Sequence, residues 1–205
     1  MARPAPFFAA LLSRFRPATR DARGGRFVAV IECILNQNAR DRGAAVSPAV
    51  NAAVLALCAR HGVGLLQMPC PEIRALGPKR ERPAGTGIRE NLDTPSGRQC
   101  CRDISEEVVA RVREYLDQGV ELLAILGGNP LSPGCAVHPS ASGKGRLDAS
   151  SGILMRELAE ALEAASISVP FRGIRDGNAE QMEEDLHWLE GLFRGAEQET
   201  PPAKT

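Results

Sequence analysis

The amino-acid sequence predicts an α/β fold: a small doubly wound parallel sheet, Rossmann-like or flavodoxin-like, with helices on both faces. Short apolar runs with the length of buried strands alternate along the chain with segments whose apolar residues recur at helical spacing. Such alternation builds a parallel sheet covered by helices. The length of 205 residues suits one domain. We expect that domain over residues 26–197, between a basic, flexible tail at 1–25 and a flexible tail at 198–205.

Four apolar runs are predicted to be the strands. The first extends from Arg26 to Cys33 and is rich in Val and Ile, and the others cover 63–68, 120–126 and 167–170. Each run is too short for an ordinary helix and is bounded by turn-forming or polar residues, which favours a buried strand. Cys33 is therefore expected to end the first strand.

Four amphipathic segments are predicted to be helices, and they cover 46–60, 103–119, 150–165 and 178–193. Ser47 and Pro48 suit the N-cap and first position of the first helix, and Asn178 suits the N-cap of the last. The stretches 71–100 and 127–145 are rich in Gly, Pro and Arg or Ser, with little periodicity, so they are predicted to be long loops.

Composition argues against several classes of protein. The net charge is zero and aromatic residues make up 4% of the chain, which disfavours binding to DNA or to an anionic membrane surface. No apolar run reaches the length of a membrane span, and no clean cleavage site follows the basic N-terminal stretch. We therefore expect a cytoplasmic protein, in which clustered cysteines serve metal binding or catalysis.

Three of the six cysteines follow predicted strands. Cys33 ends the first strand, Cys70 comes two residues after the second, and Cys135 lies in the loop after the third. Ligands of open parallel sheets bind beyond the carboxyl ends of the strands, so these thiols are expected to meet. Three soft ligands suit a 4Fe-4S cluster with one iron left free, or a catalytic zinc to which His138 contributes.

The other cysteines have weaker claims to a metal site. Cys58 falls on the apolar face of a predicted helix and is expected to be a buried structural thiol. Cys100 and Cys101 are adjacent at the end of the predicted 71–100 loop, and either is a candidate fourth ligand.

Over roughly residues 26–137 the chain resembles the thiouracil desulfidases. Three motifs carry this resemblance: residues 33–43, a Cys followed by an Arg seven residues later and a Gly three further on; residues 70–72, Cys-Pro-Glu; and residues 132–136, Ser-Pro-Gly-Cys-Ala. Each motif is weak alone, whereas the ordered set is moderately specific. The match therefore indicates a divergent member of that family.

The chain departs from the family pattern at four positions. Asn36 stands where relatives often have Gly, and Gly134 and Ala136 replace a Ser and a Gly. A Lys that is common shortly before the last motif is absent, with Asn129 near its place. We therefore expect this chain to share the metal site of that family more closely than its substrate.

The resemblance implies a 4Fe-4S cluster on Cys33, Cys70 and Cys135. It also implies removal of sulfur from a thiolated nucleobase or nucleoside, without net redox change. The fourth iron, which has no protein ligand, accepts the sulfur.

Proton transfer and substrate binding need further groups. Glu72 is a candidate general acid or base, although Arg74 or Arg80 could pair with it in a loop. Ser132 could donate a hydrogen bond or relay a proton, or form a turn. Asn36 and Asn38 could bind a nucleobase edge or shape the turn after the first strand.

Two other functions fit the same residues. The chain could be a non-catalytic iron-sulfur or sulfur-carrier module in the thiolation of transfer RNA. It could also be a zinc hydrolase that uses Cys70, Cys135 and His138. The identity of the thiolated substrate and the oligomeric state are left open by the sequence.

Overall fold

The computed structural model describes residues 21–140 and 147–199. Within them, four strands form one sheet in the order β2-β1-β3-β4, with every neighbouring pair parallel. The strands are β1 (Arg26–Ile31), β2 (Val63–Met68), β3 (Glu121–Gly127) and β4 (Phe171–Gly173). This architecture confirms the predicted doubly wound α/β class.

The helices connect the strands and cover the sheet. They are α1 (Glu32–Leu35), α2 (Ala52–Arg60), α3 (Pro71–Leu76), α4 (Ile88–Leu92), α5 (Pro95–Leu116), α6 (Ile153–Ala164) and α7 (Ala179–Glu199), with a 3₁₀ turn at Gln37–Ala39. Helix α2 contacts α7, and α5 contacts α6. Because right-handed crossovers on either side of a reversal in strand order lead to opposite faces, these two pairs cover opposite faces of the sheet.

The two central strands form the middle of the core. Residues 27–31 of β1 and 122–127 of β3 are all buried. Helices cover both faces of a parallel sheet, so its central strands are apolar throughout and do not alternate with polar residues. For this reason the short apolar runs identified these strands correctly.

Strands β1 and β4 differ most from the prediction, and β3 is shifted by one residue. Strand β1 ends at Ile31, its last residue paired with β2, and Cys33 lies in the short helix α1 that follows. The fourth strand is Phe171–Gly173 rather than 167–170. Pro170 has no N–H to donate to a ladder, and its carbonyl accepts the first bond from the Ile125 N–H, at 2.9 Å.

The first predicted helix begins later than its sequence signals suggest. Helix α2 starts at Ala52, because the side chain of Asn51 accepts a hydrogen bond from the Val54 N–H at 3.2 Å and acts as the N-cap. The hydroxyl of Ser47, the predicted cap, instead donates to the Val50 carbonyl at 2.8 Å.

The prediction of one long loop over 71–100 is wrong. It contains α3, α4 and the start of α5, which begins at Pro95 behind the N-cap Thr94. Both α3 and α5 carry proline in the first turn, where the missing N–H costs nothing. A stretch dense in proline therefore looked like a loop although it contains helix starts.

The predicted tails fall mostly outside the described residues. Residues 21–25 of the predicted 1–25 tail are described, and residues 198–199 of the predicted 198–205 tail belong to α7. Across the part of the chain that the structure describes, no helix is both long and apolar enough to cross a bilayer.

Asp185 of α7 is fully buried and bonds to residues at the end of β4. Its carboxylate accepts hydrogen bonds from Arg172 Nε at 2.8 Å, from the Arg175 N–H at 2.8 Å and from Arg175 Nη2 at 2.7 Å. The neighbouring Glu184 also pairs with Arg175 Nη2 at 2.8 Å, but its side chain is 64% exposed.

These two carboxylates allow a matched test of the β4–α7 anchor. We expect Asp185→Asn to lower the free energy of unfolding by about 3 kcal/mol, because it breaks a buried ion pair. We expect Glu184→Gln to cost about 0–1 kcal/mol, the usual value for an exposed pair. Urea denaturation of the two variants measures both, and equal losses would contradict the assignment of Asp185 as the anchor.

Candidate functional site

The three cysteines lie at the carboxyl edge of the sheet. Cys33 is in α1 directly after β1, Cys70 is the N-cap of α3 two residues after β2, and Cys135 is in the loop after β3. The strand order reverses between β1 and β3, so this edge is the topological switch point at which open α/β sheets bind ligands. The charges of Cys33 and Cys70 both contribute to the raised pKa of Cys135.

Two polar side chains, the half-buried Glu32 and the buried Gln37, hold the backbone at the first two cysteines. Glu32, next to Cys33, accepts a hydrogen bond from the Cys70 N–H at 2.9 Å. Gln37 is 2% exposed, and its amide nitrogen donates to the Cys33 carbonyl at 2.8 Å while its amide oxygen accepts from the Val46 N–H at 3.0 Å. The backbone around Cys33 and Cys70 is therefore held from both sides.

The loop that carries Cys135 folds back on the end of β3. The Gly128 N–H donates to the Cys135 carbonyl at 2.7 Å. The first amides of α6 donate to the same loop, Ile153 N–H to the Pro133 carbonyl at 3.1 Å and Leu154 N–H to the Gly134 carbonyl at 2.9 Å. A helix start and a strand end thus fix the backbone of Cys135.

Glycines permit this close packing around the cysteine sites. A Cβ on Gly128 would lie 2.7 Å from Cys135 Sγ, and one on Gly134 would lie 2.6 Å from Pro71 Cγ and 3.5 Å from Glu72 Cγ. Gly134 is one of the departures from the family pattern. Its missing side chain lets the third motif pack directly on the second.

A buried ion pair lies beside Cys33. Arg40 Nη2 donates to both carboxylate oxygens of Asp176, at 2.9 and 2.7 Å, and the two side chains are 8% and 4% exposed. Asn129 and Asn51 also donate to Asp176, at 3.0 and 3.4 Å. Burial raises the pKa of Cys33, and the charge of Arg40 and a hydrogen bond from it oppose that rise.

A second buried guanidinium lies beside Cys70. Arg80 Nη2 is 3.8 Å from Cys70 Sγ, and Arg80 Nε is 3.4 Å from a carboxylate oxygen of Glu72. The side chains of Arg80 and Glu72 are 2% and 12% exposed. Burial raises the pKa of the Cys70 thiol to about 11.

Burial also raises the pKa of Cys135 well above its usual value, and the negative charge of Cys33 acts in the same direction. The raised pKa values favour the protonated thiol over the thiolate in all three groups. A metal group that binds them as thiolates must displace their protons.

The structure assigns contacts to the other predicted site residues. Of the two partners that the sequence left open for Glu72, Arg80 pairs with it, and Arg74 pairs with Glu107 at 2.6 Å. The Ser132 hydroxyl oxygen lies 3.0 Å from Cys135 Sγ. Glu72 and Ser132 are thus both brought to the cysteines.

Asn36 and Asn38 are exposed and contact each other. The Asn36 side-chain oxygen accepts from the Asn38 N–H at 3.1 Å and from the Asn38 amide nitrogen at 3.0 Å, which caps the 3₁₀ turn. Both residues shape the turn after β1, and their binding to a substrate stays a prediction.

The remaining cysteines lie apart from this site. Cys58 is buried on α2, as predicted, and Cys101 is fully buried on α5. Cys100 is also helical, not in a loop, and its charged neighbours are Arg74, Asp103 and Glu107. Neither Cys100 nor Cys101 has an observed contact that favours it as a fourth ligand.

The sequence analysis gave no role to Asp176 or Glu32, and it named Arg80 only as a possible partner of Glu72. Asp176 lies 136 residues after its partner Arg40, and no local pattern connects the two. Arg80 lies among other arginines, and its burial was not readable from composition. Glu32 had a usable signal, because a lone carboxylate at the end of an apolar strand needs a partner.

The predicted metal ligands are the three thiols and, for zinc, His138. Within residues 21–140 and 147–199, no three His, Cys, Asp or Glu side chains are grouped to hold a metal ion. His138, the other predicted zinc ligand, has its Nε2 2.8 Å from the Pro130 carbonyl oxygen. A single zinc takes sulfur ligands at about 2.3 Å, whereas a cubane offers each thiolate its own iron. Three thiols are a soft donor set that either group accepts.

Comparison with known proteins finds a distant likeness. An uncharacterized protein of Methanocaldococcus jannaschii is 28% identical to this chain over 147 residues, which cover 72% of this chain and 84% of that protein. No protein-family model matches the chain, and no solved structure matches it significantly. The likeness spans most of both chains and names no activity.

The close approach of Gly128 to Cys135 predicts the effect of a single methyl group. We expect Gly128→Ala to lower the free energy of unfolding by about 1–3 kcal/mol through overpacking. It should also speed alkylation of Cys135, because the sulfur must move. Urea denaturation and mass spectrometry of the alkylated protein measure the two effects.

Gly191 is the matched control, because nothing lies within 4 Å of a Cβ placed on it in α7. Gly191→Ala should leave Cys135 unchanged and raise stability by about 0.5–1 kcal/mol, since alanine is the better helix former. If Gly128→Ala behaves like Gly191→Ala, Cys135 is not packed against Gly128.

Proposed function

We propose that this chain is a desulfidase that holds a 4Fe-4S cluster on Cys33, Cys70 and Cys135 and removes sulfur from a thiolated nucleobase or nucleoside. The observation that carries the proposal is the placement of three free thiols after three strand ends at one edge of the sheet. Glu72 is two residues from Cys70, and the Ser132 hydroxyl oxygen lies 3.0 Å from Cys135 Sγ. The three motifs that resemble thiouracil desulfidases contain these same residues.

The overall reaction is a hydrolysis. The thiocarbonyl carbon gains the oxygen of water, its bond to sulfur breaks, and the two water protons leave with the sulfur as hydrogen sulfide. No atom changes its oxidation state, so no electron donor is needed. When bound, the cluster supplies an iron that has no protein ligand, a soft Lewis acid suited to sulfur.

Glu72 is the proposed proton-transfer group. Its carboxylate is largely buried and ion-paired with Arg80, two residues from Cys70. A carboxylate in this position takes a proton from water as the oxygen adds to the thiocarbonyl carbon, and later returns it to the departing sulfur. The packing of Gly134 on Pro71 also brings the loop with Cys135 close to the aliphatic part of the Glu72 side chain.

Ser132 is the proposed hydrogen-bond donor on the other side of the site. Its hydroxyl oxygen lies 3.0 Å from Cys135 Sγ and 3.3 Å from the Cys135 backbone nitrogen, from which it accepts a bond. That bond orients the hydroxyl, so its proton is directed to a sulfur or to a substrate atom near it.

The proposal includes a reducing compartment such as the cytoplasm. All six cysteines are free, including the adjacent Cys100 and Cys101. Free thiols persist where glutathione and thioredoxin keep them reduced.

Metal content after anaerobic purification is the first test. We expect brown protein with about four irons and four sulfides per chain, the composition of a cubane. Cys33→Ser, Cys70→Ser and Cys135→Ser should each lose most of this iron. Cys100→Ser is the matched control and should keep it, because its half-buried thiol lies apart from the other three.

Iron and sulfide quantitation measures these outcomes. Colourless, iron-free protein with intact thiols would contradict the cluster. Equal iron loss in the Cys100 variant would show that iron binding does not depend specifically on Cys33, Cys70 and Cys135. Full iron without release of sulfide from any free thiobase would favour the carrier role in transfer-RNA thiolation instead.

Substitution of Glu72 tests the reaction itself. We expect Glu72→Gln to keep its iron and to lower sulfide release from thiouracil by about 100-fold or more, the usual contribution of a general acid–base group. Glu81→Gln is the control, since Glu81 is exposed in the same segment. Anaerobic sulfide assays measure both, and a fully active Glu72 variant would rule out the proton-transfer role.

A further inference from the structure

Arg80 has an unusual backbone for a non-glycine residue. Its φ is +49°, and among the described non-glycine residues only Arg80 and Ser166 have a positive φ. L-residues seldom adopt this region, and they keep it only where the surrounding structure imposes it. At this position the conformation turns a side chain that is 2% exposed into the site.

The guanidinium of Arg80 is held by four contacts. It donates to the carbonyls of Ala39 and Pro78, at 2.6 and 3.0 Å, to Glu72 at 3.4 Å and to Cys70 Sγ at 3.8 Å. The two carbonyl bonds fix the group, and the other two contacts reach a proposed cluster ligand and the proposed proton-transfer residue. A planar, five-donor guanidinium can satisfy this arrangement, whereas the ammonium of lysine cannot.

The local charges favour a role beyond structure. A cysteine ligand and Glu72 both bring negative charge to a buried region, and Arg80 is the cation that contacts both. Hydrogen bonds and charge near ligand sulfurs set the potential of iron-sulfur clusters. The orientation of a carboxylate sets how well it reaches a reacting proton.

We propose that Arg80 is a positioning residue of the site: it fixes the Glu72 carboxylate for proton transfer and stabilises the negative charge on the Cys70 sulfur. This inference rests on the proposed function and adds to it a residue outside the three motifs. Its consequence is that one side chain links the metal group to the proton-transfer group.

Arg80→Gly tests this inference with little risk to folding, because glycine prefers a positive φ. We expect it to keep its iron, to lower kcat for sulfide release by about 100-fold through misplacement of Glu72, and to change KM much less. The midpoint potential of the cluster should become more negative, because a nearby positive charge is lost. Millimolar guanidinium should partly restore both kcat and the potential.

Two further variants complete the test. Arg80→Lys keeps the positive charge but loses the planar, multi-donor guanidinium. The midpoint potential of the cluster should therefore stay near that of the unmodified protein, while kcat falls. Lys79→Ala is the control, since it removes an exposed positive charge from the residue next to Arg80. It should change neither quantity, with or without guanidinium.

The outcomes separate this inference from the function on which it rests. If the unmodified protein binds iron and releases sulfide but both Arg80 variants match it in kcat and potential, the role of Arg80 is wrong and the function stands. If Arg80→Gly loses its iron and Arg80→Lys has normal kcat, Arg80 is only structural. If the unmodified protein takes up no iron, both proposals fall.

Discussion

The buried ion pair between Arg40 and Asp176 is the interaction on which the geometry of the site depends. Two charges removed from water are stable only if each is fully paired, and Asp176 meets this need by accepting from Arg40, Asn51 and Asn129. These donors come from the segments after β1, before α2 and after β3, and Asp176 itself follows β4. One carboxylate thus joins three connections at the carboxyl edge of the sheet, those after β1, β3 and β4, next to Cys33.

Close packing at two glycines also fixes the geometry of the site. The third motif can lie on the second because Gly134 has no side chain, and Cys135 Sγ occupies space that a side chain on Gly128 would fill. Backbone amides at the start of α6 hold the same loop. Protein interiors tolerate few changes of even one methylene. The missing side chains of Gly128 and Gly134 therefore matter to the packing around Cys135 as much as its attractive contacts do.

The proposed chemistry needs a soft metal group, a proton carrier and control of charge, and each has a distinct physical source. Three half-buried thiols are a soft donor set. A largely buried carboxylate beside them is a proton carrier, and the two guanidiniums of Arg40 and Arg80 balance negative charge that would be costly in a region of low dielectric constant. Each arginine pairs with a carboxylate beside a cysteine. Arg40 pairs with Asp176 next to Cys33, and Arg80 pairs with Glu72 next to Cys70.

The sequence by itself determined the fold class, three of the four strands to within a few residues, and the residues expected to form the site, because central parallel strands are continuously apolar and their carboxyl ends meet at one edge. It could not determine the helices within 71–100, since proline in a first helical turn resembles a loop. Only the tertiary structure decided that Glu72 pairs with Arg80, that Asn36 bonds Asn38, and that Asp176 meets Arg40. Those pairings depend on side-chain directions and on contacts between segments that are distant in sequence. Buried polar groups need such partners, but no local sequence pattern shows which partner each group finds.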